Sequence, residues 1–262
     1  MPGQITQSRD GVVATVAINH AEKLNALTVA MWQDLARIMC ALSADDTLRC
    51  IVLRGAGDKA FAAGADIAEF ATVRNTREQG VTYHREHVYG ALKAVAECRH
   101  PVVAMIHGPC VGGGLELASA CHIRVADEST FYALPEGTRG IFVGGGGSVR
   151  VPKLIGAARM TDMMLTGRVY NAADGERIGL SQYVVPAGQA LAKALELAQR
   201  IATNAPLTNY ALTHVLPRIA EQPADHGLMT EAMMAAIAQA APEAKARVNA
   251  FLQGKADKVK KA

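Results

Sequence analysis

Apolar and polar positions along the chain fall into short blocks that change period. Val12–Asn19, VVATVAIN, is rich in β-branched residues and predicts a strand. The run from Val29 to Leu42 has helical periodicity, and Thr28 stands before it as an N-cap. Cys50–Gly55, CIVLRG, is a short buried-type strand, followed by the small-residue turn DKAFAAGAD. Arg77 to Arg99 predicts a helix that ends before Pro101. PVVAMIHG is another apolar strand, leading through a glycine turn into a helix; HIRVA and TFYAL are further short strands. From Ser148 onward helices dominate, broken at Gly167, Pro186, Pro206, Pro217, Pro223 and Pro242.

Two blocks share one grammar. IVLRGAGDKAFAAGADIAEF and VVAMIHGPCVGGGLELASA each read strand, small-residue turn, helix. This predicts repeated strand–turn–helix units, an α/β class, across the first two-thirds of the chain. The tail GKADKVKKA is basic.

Composition narrows the functional classes. The 262 residues are 50% hydrophobic and 19% charged, which excludes a disordered chain and allows a sizeable core. A net charge of +3 is too small to argue for nucleic acid or an anionic membrane. The N-terminus has no apolar signal core, and no apolar run approaches the ~18 residues of a membrane span. A cytoplasmic protein is the expectation. Cys40, Cys50, Cys98, Cys110 and Cys121 lack CxxC spacing and read as reduced structural thiols.

Several familiar motifs fail. GGGLEL lacks G-x-G-x-x-G spacing, no glycine run precedes Lys-Ser/Thr, and Ser148 is not in G-x-S-x-G. His84 and His87 are three apart, yet no third metal ligand accompanies them, so a solvated helix face is the better reading.

The glycine turns and two acids carry the chemistry. A glycine turn before a helix lets a ligand approach free backbone N–H groups. Two such turns can aim two donors at one oxygen, as in an oxyanion hole; close packing explains the same glycines equally simply. Glu116 lies among small apolar neighbours in GLELASA, and Glu136 follows a strand twenty residues later. Two carboxyls in one dry site can divide into acid and base. Pairing of either glutamate with Arg124 or Arg139 is the structural alternative.

These residues, taken in order, resemble the enoyl-CoA hydratase/isomerase family, the crotonase-like proteins. The resemblance runs from about Val12 to Phe251. Its pieces are EKLNAL, AFAAGADI, HGPCVGGGLELASACHIRVA, FYALPE, GGGGSVRVPKLIG and LTGR; their order and spacing are specific where each alone is weak. The resemblance implies a spiral of ββα units as the catalytic core, over 1–200, with a C-terminal helical region over 201–262 that builds trimers and often hexamers.

By position, it implies that the N–H groups of Ala65 and Gly113 hold a thioester oxygen. Glu116 and Glu136 take the two catalytic positions, and Gly144 helps hold water. Lys23, Leu24, Ala63, Ala65, Asp66, Ile67 and Ala68 would line the CoA path, and Lys255 is a candidate for a CoA phosphate. The implied activity is hydration of a 2-enoyl-CoA, with no metal or redox cofactor and CoA as the substrate's handle. Double-bond isomerisation, another CoA-thioester lyase or hydrolase reaction, and a non-catalytic acyl-CoA or RNA-binding module are the rivals. The chain departs from many relatives at Val143, where proline is common. Arg139 stands near the implied pocket, as a structural ion-pair partner or a contact for a polar acyl group. Glu69–Arg85 borders it with polar residues.

Overall fold

The computed structural model describes residues 2–253; Lys255 lies outside them. The chain divides into two units, 1–202 and 203–262.

The first unit is built on a six-stranded sheet. Its strands are β1 (Gln4–Asp10), β2 (Val13–Asn19), β3 (Cys50–Gly55), β4 (Val102–Ile106), β6 (Ile123–Asp127) and β9 (Tyr183–Val185), side by side in that order. β1 and β2 are antiparallel; every later pair is parallel. A second sheet joins β5 (Pro109–Val111), β7 (Phe131–Ala133) and β8 (Tyr170–Asn171). Parallel neighbours need crossovers, which helices supply.

Strand periodicity sorts the core into two layers. Cys50 and Val52 of β3 point to the face covered by helix α9 (Ala190–Ala202), against Ala194 and Leu197. Ile51 and Leu53 point to the opposite face, where helices α1 (Val29–Ala44), α4 (Tyr89–Ala96) and α5 (Gly113–Ala120) pack. Trp32, Leu35 and Met39 from α1 and Leu92 from α4 are fully buried there. α1 begins as expected, with Thr28 Oγ1 accepting from the Met31 N–H at 3.2 Å.

Three local expectations change. β1 was not evident in the pattern; only Ile5 of its seven residues is buried, and β2 pairs it along one edge. The helix expected from Arg77 to Arg99 is helical to Ala96 but interrupted: α3 (Arg77–Thr82) and α4 are joined by a π-helical turn, Tyr83–Val88. A short helix, α2 (Phe70–Val73), precedes them.

The cysteines form no disulfide; Cys40 is exposed and the other four are buried. Burial pushes the Cys50 and Cys121 thiols up to about 12, so neither is a ready thiolate. Among the described residues, no helix is long and apolar enough to cross a membrane.

The second unit is helical. Its longest helices, α12 (Ala224–Ala240) and α13 (Pro242–Leu252), expose Leu228, Met229, Met233, Ile237, Phe251 and Leu252.

Candidate active site

The EKLNAL segment anchors one wall. Leu24 and Asn25 both hold positive φ, 51° and 57°. Asn25 is buried, and its amide replaces missing backbone partners: Oδ1 accepts from the His20 N–H, and Nδ2 donates to the carbonyls of Ala60 and Ala56. The next turn, Phe61–Asp66, is thereby tied to residues 20–27. Leu27 N–H donates to the Gly64 carbonyl and Asp66 N–H to that of Leu27.

The two glycine turns are joined by sheet hydrogen bonds. Ala62 bridges Cys110 in parallel, with Ala62 N–H on the Pro109 carbonyl and Val111 N–H on that of Ala62. This alignment brings Ala65 beside Gly113: a β-carbon on Gly113 would lie 3.6 Å from Ala65 N. Gly64 has φ +97° and Gly112 φ +53°, so both turns use backbone that L side chains rarely adopt. Among the described residues, neither Ala65 N–H nor Gly113 N–H donates to a protein acceptor. Both residues line a cavity of about 530 Å³. Unpartnered N–H groups converging on a cavity form a place for a negative oxygen.

Both candidate acids line the same cavity and are nearly buried, 4% exposed for Glu116 and 8% for Glu136. Their settings differ. Glu116 projects from α5 toward the start of helix α6 (Gly147–Ile155), and its Oε1 accepts from Gly145 N–H at 2.9 Å and Gly147 N–H at 3.0 Å. Burial dominates and raises its pKa above the ordinary carboxylate value; these N–H groups, with Arg150, offset only part of that rise. Glu136 leaves β7, which is pinned by Gly112 N–H on the Ala133 carbonyl. A β-carbon on Gly112 would lie 2.8 Å from Glu136 Oε1. Among the described residues, Glu136 Oε2 is buried without a hydrogen-bond partner. Burial, with the Glu116 charge adding and its own N–H and Arg139 opposing, pushes Glu136 up to about 7.

The structural alternative for the acids does not hold for Glu116. Arg124 spends its guanidinium on the carbonyls of Leu180 and Cys121, and Glu116 is served by backbone.

Lys23, Ala63, Ala65, Asp66, Ile67, Gly113, Glu116, Glu136 and Gly144, all singled out from sequence, line this cavity together. Leu24 and Ala68 are not among its lining residues; the Leu24 carbonyl accepts from Ala63 N–H, and Ala68 N–H caps onto Asp66 Oδ1. Lys23 Nζ pairs with Asp66 Oδ2 at 2.6 Å. Burial would raise Asp66, but Lys23 and the Ala68 N–H outweigh it and hold the carboxyl below its ordinary value.

Within Glu69–Arg85, the segment expected to border the pocket, Phe70, Arg74 and Tyr83 line the cavity; Trp32 and Phe142, which the pattern did not single out, line it as well. His84 also enters the cavity, packed on Gly144 where a β-carbon would be, whereas His87 meets Gln33. The two histidines therefore do not act as a metal pair, and among the described residues no group of three metal-binding side chains occurs. Burial and the nearby Arg74 lower the His84 pKa.

Known proteins agree with this architecture. The sequence profile of the enoyl-CoA hydratase/isomerase family matches residues 8–260. A crystal structure from Rhodopseudomonas palustris CGA009, named as a candidate enoyl-CoA hydratase, is 47% identical; the match covers 96% of this chain and 95% of that one, with a TM-score of 0.91. Enoyl-CoA hydratase from Bacillus anthracis is 30% identical over 96% and 97% of the two chains, TM-score 0.90. Enoyl-CoA hydratase ACTT3 from Alternaria alternata is 36% identical over 209 residues, 79% of this chain and 69% of that protein. The sheet order, the paired glycine turns and these matches place the chain in the enoyl-CoA hydratase/isomerase family, with the crotonase fold.

Proposed function

We propose that the protein is an enoyl-CoA hydratase, adding water across the C2=C3 bond of a 2-enoyl-CoA thioester. One observation carries the reading: two differently set carboxyls share a cavity with two unpartnered N–H donors. The thioester oxygen would sit on the N–H groups of Ala65 and Gly113. These donors take up the charge that flows to the oxygen when water attacks C3; one such donor is typically worth ~10²–10³ in rate.

Glu116 is assigned to the water. Its Oε1 is occupied by two amides, which support the ionised form and fix the carboxylate, leaving Oε2 for the water proton. Gly144 N–H would hold the water oxygen beside it. Glu136, whose proton affinity is raised, delivers a proton to C2. The water proton goes to Glu116, the C3–O bond forms, and the enolate collapses as C2 is protonated. CoA serves only as the substrate's handle, with Lys23 and the Ala63–Ala68 turn along its path. The exposed apolar residues of α12 and α13 support assembly with further copies of the chain, as a trimer or a pair of trimers.

The test is loss of the conjugated thioester absorbance of crotonyl-CoA. The expected result is turnover by the wild type and severe loss in Glu116→Gln and Glu136→Gln. Migration of the double bond in a 3-enoyl-CoA, without hydration of any 2-enoyl-CoA, would assign the site to isomerisation instead.

A further inference from the structure

The cavity lining is more cationic than a plain alkyl chain requires. Arg74 follows α2, His84 lies in the π-helical turn and Arg139, an exposed residue, lies in the loop after Glu136; all three line the cavity. Arg74, half-buried, lies 4.0 Å over the Phe70 ring and 5.1 Å from that of Tyr83. Stacking holds a guanidinium flat and leaves its in-plane N–H groups for a planar acceptor. Arg139 enters from a short 3₁₀ turn directly after Glu136. Both arginines line the cavity, and among the described residues neither has a carboxylate within ion-pair distance. Among the described residues, His84 Nδ1 is buried without a hydrogen-bond partner.

Apolar residues line the cavity as well, among them Val88, Ile141 and Val143. An alkyl group pressed against both arginines would strip water from two guanidiniums and return nothing. A chain of methylenes ending in a carboxylate would use both surfaces. Arg–carboxylate pairing is planar, bidentate and stronger than a neutral hydrogen bond.

We propose that Arg74 and Arg139, with His84 beside them, form a subsite for a carboxylate at the far end of the acyl chain, so that the preferred ligands are carboxyl-ended acyl-CoA thioesters. The reaction in this assignment rests on the hydratase reading; the binding preference does not.

Calorimetric titration of the full chain with saturated ligands separates the two. Glutaryl-CoA is compared with valeryl-CoA, and adipyl-CoA with hexanoyl-CoA, so that each pair differs only in a terminal carboxylate against a methyl. The wild type is expected to bind the carboxyl-ended member of at least one pair tenfold tighter or more. In Arg74→Gln and Arg139→Gln that ratio is expected to fall toward one, and Arg139→Lys to restore part of it. Equal or weaker binding of both carboxyl-ended ligands by the wild type overturns the proposal. So does an equal loss for both members of a pair in the variants, which would assign the arginines to the CoA phosphates. Crotonyl-CoA hydration, followed in parallel, reports on the reaction alone: turnover without carboxylate preference sinks the subsite, and preference without turnover on any enoyl-CoA sinks the hydratase reading.

Discussion

Glu116 Oε1 sits between the backbone N–H groups of Gly145 and Gly147, at 2.9 and 3.0 Å, where helix α6 begins. An oxygen at that position meets two orphan donors and the positive end of the helix dipole. The contact fixes one carboxylate oxygen on a residue that lines the cavity. Glu116→Gln keeps the shape but removes the charge. It is expected to fold and to lose ~10²–10⁴ in kcat, the range for a positioned base, measured with crotonyl-CoA.

Two glycines test how closely the site is packed, Gly147 at this contact and Gly114 against residue 62. A β-carbon at Gly147 would lie 2.7 Å from Glu116 Oε1 and 2.8 Å from its Cγ, so Gly147→Ala pushes the carboxylate aside. Activity is expected to fall by ~10²-fold or more, and the melting temperature to fall as well, because a buried carboxylate is pushed off its two N–H donors. At Gly114 a β-carbon would lie 2.2 Å from the Ala62 carbonyl, which is backbone and cannot yield. Gly114→Ala is expected to destabilise the fold by ~1–3 kcal/mol or more, read as a lower melting temperature.

Glu136 links activity to pH. Its folded-state pKa of about 7 stands above the ordinary 4.5. As the proposed acid it works when protonated, so kcat/KM is expected to decline as pH rises through about 7. A profile flat from pH 6 to 9 would remove Glu136 from the acid role.

The same shift has a stability sign. A raised pKa means that the folded state holds its proton more tightly than the unfolded one. That contribution is complete below the unfolded value and is lost as pH rises through the folded value of about 7. Glu136→Gln has no charge to bury. It is expected to be more stable than wild type at pH 8, by ~1–3 kcal/mol, with the gap closing toward pH 5. Melting curves at the two pH values check it.

Assembly is testable on α12. Met229 and Met233 are 67% and 57% exposed. Wild type is expected to elute from size exclusion with light scattering as three or six chains. Met229→Glu with Met233→Glu is expected to reduce that mass. A wild-type monomer would remove the assembly reading.

Much of this architecture was legible in the chain, and what was not has physical reasons. The strand–turn–helix blocks were readable because glycines mark turns and β-branched residues mark buried parallel strands. Strand β1 was not, because QITQSRD lies at a sheet edge with mostly exposed side chains and carries no apolar alternation. The π-helical turn at Tyr83–Val88 was hidden because one extra residue per turn leaves local composition unchanged. Glu116 and Glu136 stood out as acids in apolar surroundings. The amides that hold Glu116 lie 29 and 31 residues away and depend on α5 packing against α6. Glu69–Arg85 was legible as a border of the pocket, but which of its side chains line the cavity, Arg74 and His84 among them, is set by tertiary placement.

The bridge between Ala62 and Cys110 sets the two glycine turns at a distance governed by strand pairing, with no side chain as intermediary. Substitutions along α2, the π-helical turn and the loop after Glu136 therefore leave that gauge intact. The molecule is built as a fixed jig with exchangeable walls: the part proposed to meet the thioester is held by the sheet, and the part proposed to meet the acyl chain lies outside it. Redesign for a new acyl group should begin at Arg74, His84, Arg139 and Phe142, and leave residues 60–65 and 109–113 untouched.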